Sequence, residues 1–380
     1  MKDYTTKAGM DVHARSITIC AAVAETGEGF RATLNEPEPS DVASWLLALP
    51  QPVYCAYESG CTGFRLAREL RAAGIDCDVI AVSTLPLSAK DRQQKCDKLD
   101  AAAILAAISN PQSRHTVVWV PDEATEAGRN LARLRERAAG DLRRMKQELS
   151  AFLLTHGMVW NEKTKSGRLR KAYTRAWWEW AGSLEFAEAA DRAAFRRYVE
   201  RVRWAEGELA AIERDIAEQA AGPENKPYVD ALTLVNGIDA GAAYLIRVEF
   251  GDFERFPGGR KVTAWVGAVP RNGSSGPRDK HGPITRAGNG YLRRRAVEAV
   301  GTVASWRRVR KAPREGAAPS AECARMALDA NARVAGRYRR LACDSGKHAN
   351  KAKMAAAAEL VRWAWAIGRQ VQRELEGAAS

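Results

Sequence analysis

The sequence predicts a mixed fold, an α/β region followed by an all-α remainder. Residues 8–120 alternate between β-rich runs and helical stretches, which is typical of an α/β layer architecture. Residues 122–155 and 202–216 repeat apolar side chains at steps of three and four, the period of long amphipathic helices. Residues 226–380 contain a Gly-rich loop and end in Ala-rich stretches that also indicate helices.

Four β-rich runs define the α/β region, with helical stretches between them. The runs cover residues 17–23, 53–57, 77–82 and 116–120, and Pro121 stops the last one. Helices are expected at 41–49, 62–73 and 98–108, since Ser40 resembles a helix cap and Gly74 ends the second stretch.

Two long amphipathic helices come next, and a coiled coil fits them best, either antiparallel or between two chains. A basic run at 163–171 and the cluster Trp177, Trp178 and Trp180 lie between the helices. We expect these tryptophans to anchor a small helical core, with base stacking as the alternative. Residues 220–225 resemble a linker to the last region.

Positive charge is concentrated in one segment. The 380-residue chain has 59 Lys and Arg against 46 Asp and Glu, a formal net charge of +13. Residues 260–314 contain fourteen Lys and Arg but only two acids, Asp279 and Glu298. Because such a segment repels itself unless a polyanion is bound, we expect a nucleic-acid partner. The alternative is a solvated face that only aids solubility.

The apolar pattern argues against a membrane protein. No run approaches the roughly 18 apolar residues that cross a bilayer, and the first residues lack the apolar core of a signal peptide. We therefore expect a cytoplasmic location, associated with the bacterial nucleoid, and no membrane partner.

Four carboxylates occupy positions that can converge at one edge of the sheet. Asp11 is expected at the start of the first strand, and Glu58 closes the second. Asp97 and Asp100 lie three residues apart as a helix begins, so they share a face. Such a cluster repels itself without a divalent cation, and Mg²⁺ prefers carboxylate oxygens. Each acid taken alone is more simply a surface or capping residue.

Serines lie in a basic, Gly- and Pro-rich loop between residues 267 and 290. Glycine lets the backbone approach a ligand closely, and guanidinium groups around Ser275 would stabilise an oxyanion able to attack phosphorus. Ser274 is a less favoured substitute, and the alternative is that both serines are loop or capping hydroxyls. The residues assigned to nucleic-acid binding are Arg271, Arg278, Lys280, Arg286, Asn289 and Arg293.

Together these motifs resemble the DEDD transposases of bacterial insertion sequences, the IS110 family, to which the pilin-gene invertases are related. The stretches around Asp11, Glu58 and Asp97-Lys-Leu-Asp100 are similar to that family's RuvC-like acidic motifs. The segment from Trp265 through Ser275-Gly276 to Arg293 is similar to its C-terminal signature. The chain departs from the family pattern at Cys96, at Lys98-Leu99 and at the turn 235–237.

The resemblance implies three domains: a RuvC-like domain with an RNase H fold at 1–121, a coiled-coil helical domain at 122–222 and a helical transposase domain at 223–380. It implies that Asp11, Glu58, Asp97 and Asp100 hold Mg²⁺ (or Mn²⁺) and that Ser275 attacks DNA to form a covalent phosphoserine. It also implies a structured guide RNA, DNA of the element and its target as substrates, and dimers that pair into a tetramer.

The sequence thus favours an RNA-guided, Mg²⁺-dependent serine recombinase that moves its own insertion sequence. The alternative is a metal-dependent RuvC-like nuclease or Holliday-junction resolvase, in which water attacks phosphorus and the C-terminal half only grips DNA. A third hypothesis, a nucleic-acid scaffold without catalysis, is disfavoured because all four carboxylates are present.

Overall fold

A computed structural model describes residues 3–81, 97–272, 281–305 and 320–379; side chains at 97–100, 272, 281, 304, 305 and 379 are outside the description. The chain divides into two compact units, Met1–Ala124 and Thr125–Ser380. The mixed α/β region followed by a helical remainder is confirmed. The finer three-domain partition stays a prediction. Among the described helices, none combines the length and apolar character that a bilayer crossing requires.

The first unit is built on a six-stranded sheet with the order β3-β2-β1-β4-β5-β6. Its strands are β1 (Thr6–Val12), β2 (Ser16–Val23), β3 (Gly29–Asn35), β4 (Val53–Glu58), β5 (Asp76–Ile80) and β6 (Val117–Val118). The pairs β1–β2, β2–β3 and β5–β6 are antiparallel, whereas β1–β4 and β4–β5 are parallel. Its helices are α1 (Pro39–Leu47), α2 (Arg65–Ala72) and α3 (Asp97–Ser109).

The sequence-based expectation missed two strands and misplaced one acid. β1 and β3 were not predicted, and Asp11 lies near the end of β1 rather than at the start of the first strand. β1 contains Ala8, Gly9 and Met10, which are weak β-formers, and its strand state depends on pairing with both β2 and β4. Among the described strands β3 pairs only with β2, and it alternates exposed and half-buried residues, so its apolar signal is faint.

The two faces of the sheet are covered by different helices. Ala8, Met10, Cys55 and Tyr57 belong to the core cluster that contains residues of α1 and α2. On the opposite face α3 lies so close to β1 that a Cβ on Gly9 would stand 2.3 Å from the Ala101 carbonyl oxygen. Because side chains alternate along a strand, Asp11 shares the α3 face with Gly9.

The second unit begins with two long helices, α4 (Glu123–Thr155) and α6 (Ala189–Ala221), joined through the short α5 (Arg175–Gly182). Ion pairs link Arg135 to Glu213 at 2.6 Å and Glu148 to Arg201 at 3.0 Å, so the helices run antiparallel within the chain. Trp177 is 2% exposed and packs with Leu149 and other apolar residues. It therefore anchors a small helical core, as expected.

The remaining elements form one larger apolar core. They are α7 (Lys226–Thr233), α8 (Ala240–Phe250), α9 (Gly259–Trp265), β7 (Pro270–Asn272), β8 (His281–Ile284), α10 (Gly290–Ser305), α11 (Ala321–Arg339), a π-helical turn (Arg340–Asp344) and α12 (Ala349–Ala379). α12 packs against α10, α11 and α9, and the Trp365 indole Nε1 donates to the Phe253 carbonyl oxygen over 2.8 Å.

We predict that Gly9→Ala will loosen the contact between β1 and α3. The added methyl would meet backbone atoms of Ala101 and Leu105 at 2.3 and 2.4 Å, which cannot rotate away. Overpacking of this kind costs about 2–3 kcal/mol. Hydrogen–deuterium exchange in peptides of β1 and α3 measures the loss of protection.

Gly29→Ala on β3 is the matched control, since its nearest non-neighbouring atom would be 3.9 Å away. We expect that change to stay within about 0.5 kcal/mol of the parent. Equal protection of α3 in both variants would contradict the close-approach argument.

Candidate active site

Two of the four predicted acids lie side by side at the edge of the sheet. β1 and β4 are parallel, and their last paired residues are Met10 and Tyr57. The next residue on each strand is an acid, Asp11 on β1 and Glu58 on β4. Neighbouring strands lie about 4.8 Å apart, so the two acids are adjacent at the carboxyl ends of the strands.

Both acids are on the face that α3 covers. Ala56, two residues before Glu58, packs with Ile104 and Ile108 of α3, so Glu58 shares that face by alternation. Asp11 shares it with Gly9, as described above. Asp11 is 8% exposed, and its Oδ2 lies 3.0 Å from Nε2 of the exposed His13. This contact orients one carboxylate oxygen.

For the other two predicted acids, Asp97 and Asp100, the structure gives only the position of the backbone. Asp97 and Asp100 lie in the first turn of α3, and Asp100 directly precedes Ala101, whose carbonyl faces Gly9. Their side chains are outside the described residues. Among the side chains that are described, no three His, Cys, Asp or Glu residues form a metal-binding group. The quartet as a whole therefore stays a prediction.

The described donors suit a hard cation. Asp11 and Glu58 supply adjacent carboxylates, the oxygen ligands that Mg²⁺ takes alongside water and phosphate oxygens. A cation bound between the two carboxylates would also reduce the repulsion between their negative charges. These residues fit the predicted Mg²⁺ or Mn²⁺.

The basic loop emerges from a short β-ladder in the second unit. Pro270 pairs with Ile284 and Asn272 pairs with His281, so β7 and β8 hold both ends of the connection. The connection, 273–280, lies outside the described residues. It contains four of the predicted site residues: Ser274, Ser275, Arg278 and Lys280.

Two glycines close the base of this loop. Gly267 (φ +66°) and Gly288 (φ +108°) have left-handed backbones, and a Cβ on Gly288 would lie 1.9 Å from the Trp265 carbonyl oxygen. The Asn289 amide donates to that same oxygen over 2.9 Å. The Arg286 amide donates to the Gly267 carbonyl oxygen over 3.2 Å.

A buried carboxylate, Glu249 on α8, ties this base to α4. Glu249 is 1% exposed, and Arg133 donates to its two oxygens from Nε and Nη2 over 2.6 and 2.9 Å. Asn289 Nδ2 donates to Glu249 Oε2 over 2.8 Å, and Asn289 Oδ1 accepts from the Leu292 amide over 3.0 Å. No sequence motif marks Glu249, although it is the single acid in the largely apolar stretch 240–250.

The described residues assigned to nucleic acid divide into two groups. Arg271 and Arg286 are exposed to solvent. Asn289 is engaged by Glu249, and Arg293 donates from Nη1 to the Val266 carbonyl oxygen over 2.6 Å. Burial, and secondarily repulsion by Arg286, lowers the pKa of Arg293. Asn289 and Arg293 thus hold the loop base in place, and their nucleic-acid role stays a prediction.

Part of the positive charge in 260–314 is neutralised inside the protein. Glu136 on α4 is 4% exposed, and its carboxylate lies 2.9 Å from Arg295 Nε and 3.7 Å from Arg294 Nη1. The basic segment therefore carries less free charge than its composition indicates.

Comparison with known proteins covers both units. Residues 229–314 match the family model described as Transposase IS116/IS110/IS902 family, and residues 8–158 match the transposase model of the IS110 DEDD type. A Sinorhizobium fredii protein that carries the transposase name y4qE is 32% identical over 365 residues, 93% of this chain and 86% of that protein. The chain belongs to the IS116/IS110/IS902 family of transposases.

Two further relatives agree with this assignment. The transposase for insertion sequence element IS1533 of Leptospira borgpetersenii is 28% identical over 67% of this chain and 72% of its own. A probable family 20 transposase of Pseudomonas aeruginosa is 29% identical over the same shares. The resemblance inferred from the motifs is thus confirmed at the level of the family, whose enzymes cut and rejoin DNA. Within this transposase, segment 8–158 contains the four predicted acids and segment 229–314 contains the basic loop.

We predict that Glu249→Gln will destabilise the second unit strongly. The amide keeps the volume of the side chain but leaves Arg133, and the 9%-exposed side chain of Arg129 at 3.9 Å, without their counter-charge. Removing one partner of a buried ion pair costs about 3–5 kcal/mol. Urea unfolding of the full chain, followed by circular dichroism, measures the change.

Glu213→Gln is the control, because that side chain is 48% exposed although it pairs with Arg135 at 2.6 Å. Its loss should cost less than about 1 kcal/mol. Unfolding of both variants at the same urea concentration would contradict a stabilising role for the buried Glu249 carboxylate.

Proposed function

We propose that this transposase excises and inserts its own insertion sequence through a composite site, in which Mg²⁺-binding acids and a serine nucleophile act on one phosphodiester under the direction of a structured RNA. The observation that carries the proposal is the placement of Asp11 and Glu58, side by side on the α3 face at the carboxyl ends of β1 and β4. A mixed sheet with acids at this edge also supports the RuvC-like assignment.

The acids would hold the metal. Asp11 and Glu58, with Asp97 and Asp100 from α3, are the proposed ligands, and His13 orients the Asp11 carboxylate through its 3.0 Å contact. A divalent ion there would offset phosphate charge and stabilise the attacking and leaving oxygens.

Ser275 is the proposed nucleophile. Its Oγ loses a proton and bonds to phosphorus, while the bond from phosphorus to the departing sugar oxygen breaks and that oxygen takes up a proton. The phosphoserine ester conserves the energy of the phosphodiester for rejoining. Support comes from the family match over 229–314 and from the closed loop base at Gly267 and Gly288, which holds both ends of the serine segment. Exposed Arg271 and Arg286 would bind backbone phosphates.

The partners follow from the same proposal. The substrates are DNA of the element ends and of the target, and the guide is a structured RNA transcribed from the noncoding flank of the element. The family resemblance implies a homodimer that pairs into a tetramer across two DNAs, and this is the proposed assembly. The net charge of +13 is compatible with several nucleic-acid strands.

We predict that Ser275→Ala will abolish the covalent protein–DNA adduct, because the alanine has no oxygen to bond to phosphorus. The assay incubates the protein with element-end DNA, Mg²⁺ and the transcript of the noncoding flank, then detects adducts by denaturing gel. Ser274→Ala is the matched control and should retain adduct formation. Omission of the transcript should also prevent the adduct.

Different results separate the alternatives. An adduct that survives Ser275→Ala but not Ser274→Ala would move the nucleophile by one residue. Strand cleavage by Ser275→Ala without any adduct in the parent would favour water attack, as in a metal-dependent nuclease or resolvase.

We predict that Asp11→Asn and Glu58→Gln will each reduce Mg²⁺-dependent cleavage by at least about 100-fold, because each removes a charged ligand that offsets phosphate charge. Mn²⁺ binding, followed by electron paramagnetic resonance, should weaken in parallel and gives a readout separate from activity. Chelation by EDTA should stop cleavage by the parent. Glu69→Gln, an exposed acid on α2, is the control and should change neither quantity. Full Mn²⁺ affinity in Asp11→Asn would rule out the metal site.

A further inference from the structure

A β-hairpin at residues 162–171 projects from the helical core between α4 and α5. The Arg170 amide donates to the Glu162 carbonyl oxygen over 2.8 Å, and the Thr164 amide donates to the Arg168 carbonyl oxygen over 2.7 Å. The turn closes with the Gly167 amide on the Thr164 carbonyl oxygen at 2.8 Å, and Gly167 has φ +76°. The segment is therefore a short hairpin with a single antiparallel β-bridge, between Lys163 and Leu169.

The hairpin stands on a rigid base. The Trp160 indole Nε1 donates to the Arg170 carbonyl oxygen over 3.1 Å, and the Trp160 ring packs on Trp180 with centroids 5.4 Å apart. Trp180 in turn packs on the buried Trp177. These contacts tie the backbone of the hairpin to the helical core at Arg170.

The hairpin and its flank carry a local excess of positive charge. Residues 162–179 contain six Lys and Arg against two acids, Glu162 and Glu179. Both acids already have partners, since Glu162 lies 3.6 Å from Arg170 and Glu179 lies 2.9 Å from Arg175. Four cations are exposed and make no ion pair with any residue that the structure describes: Lys163, Lys165, Arg168 and Lys171.

The neighbouring helix pair of α4 and α6 contains cations that are paired across it. There Arg135, Lys146 and Arg201 each contact a glutamate on the opposite helix at 2.6–3.0 Å. The hairpin cations have no such partner within the described residues. A cluster of unpaired cations on an anchored hairpin suits an external polyanion, because binding releases counterions from phosphates.

We propose that this basic hairpin contacts the phosphate backbone of duplex DNA without reading its sequence. This DNA contact is separate from the basic loop at 267–290. The contact would hold flanking DNA while the active site works on the element end. The inference rests on the DNA-acting function of the family and not on Ser275 or on the acids. A binding assay without Mg²⁺ therefore tests it separately from the catalytic proposal.

The test compares two variants with the same change in charge. The hairpin variant combines Lys163→Gln, Lys165→Gln, Arg168→Gln and Lys171→Gln. The matched control replaces four exposed arginines of α4 and α6 by glutamine: Arg137, Arg143, Arg196 and Arg214. Fluorescence anisotropy measures the Kd for a random-sequence duplex of about 30 base pairs across a series of salt concentrations, and circular dichroism checks the fold.

We expect the hairpin variant to bind the duplex at least about tenfold more weakly at low salt, and the slope of log K against log salt to fall by about 3–4. The loss of duplex affinity in the control variant should be less than half of the loss in the hairpin variant. If the fourfold variant does not fold, Lys165→Glu at the exposed turn is measured instead, and we expect it to bind the duplex more weakly than the parent.

Two outcomes would overturn the proposal. One is an affinity loss no larger in the hairpin variant than in the control. The other is unchanged binding of duplex DNA together with weaker binding of the noncoding-flank RNA, which would make the hairpin an RNA contact.

Discussion

The close contact between α3 and β1 is the constraint on which the candidate site depends. At Gly9 the helix backbone occupies the space that any side chain would need, so α3 rests directly on the sheet. This contact brings the first turn of α3, which contains Asp97 and Asp100, to β1, where Asp11 lies one residue before the end of the strand. Glu58 joins them because β4 is parallel to β1 and in register with it. A side chain at position 9 would separate elements whose ends supply the acids.

The second unit uses buried charge to organise the base of the basic loop. Glu249 accepts from Arg133 of α4 and from Asn289 at the start of α10, so one carboxylate joins three elements. Burying a carboxylate is costly unless it is paired and hydrogen-bonded, and here both oxygens have donors. Asn289 and Arg293, which the motif marks as functional, therefore also have a structural task, and exposed Arg271 and Arg286 carry the charge that faces solvent.

Pairing distinguishes two kinds of cation in this protein. On α4 and α6, Arg135 and Arg201 meet glutamates across the helix pair, and these pairs fit its antiparallel direction. In the hairpin at 162–171, Lys163, Lys165, Arg168 and Lys171 are exposed and make no ion pair with any described residue. Composition alone does not distinguish paired cations from unpaired ones.

The sequence by itself determined the α/β-then-helical order, the long amphipathic helices, the core role of Trp177 and the family, because local periodicity and short motifs record them directly. It did not reveal β1 or β3, whose strand state comes from pairing with neighbours rather than from their own apolar pattern. The antiparallel direction of α4 and α6 and the partners of Glu136 and Glu249 were decided only in the tertiary structure. These contacts join distant residues: Arg133 and Glu249 are 116 positions apart, and Glu136 meets Arg295 from still farther along the chain. No local pattern encodes which distant charge a buried acid will meet.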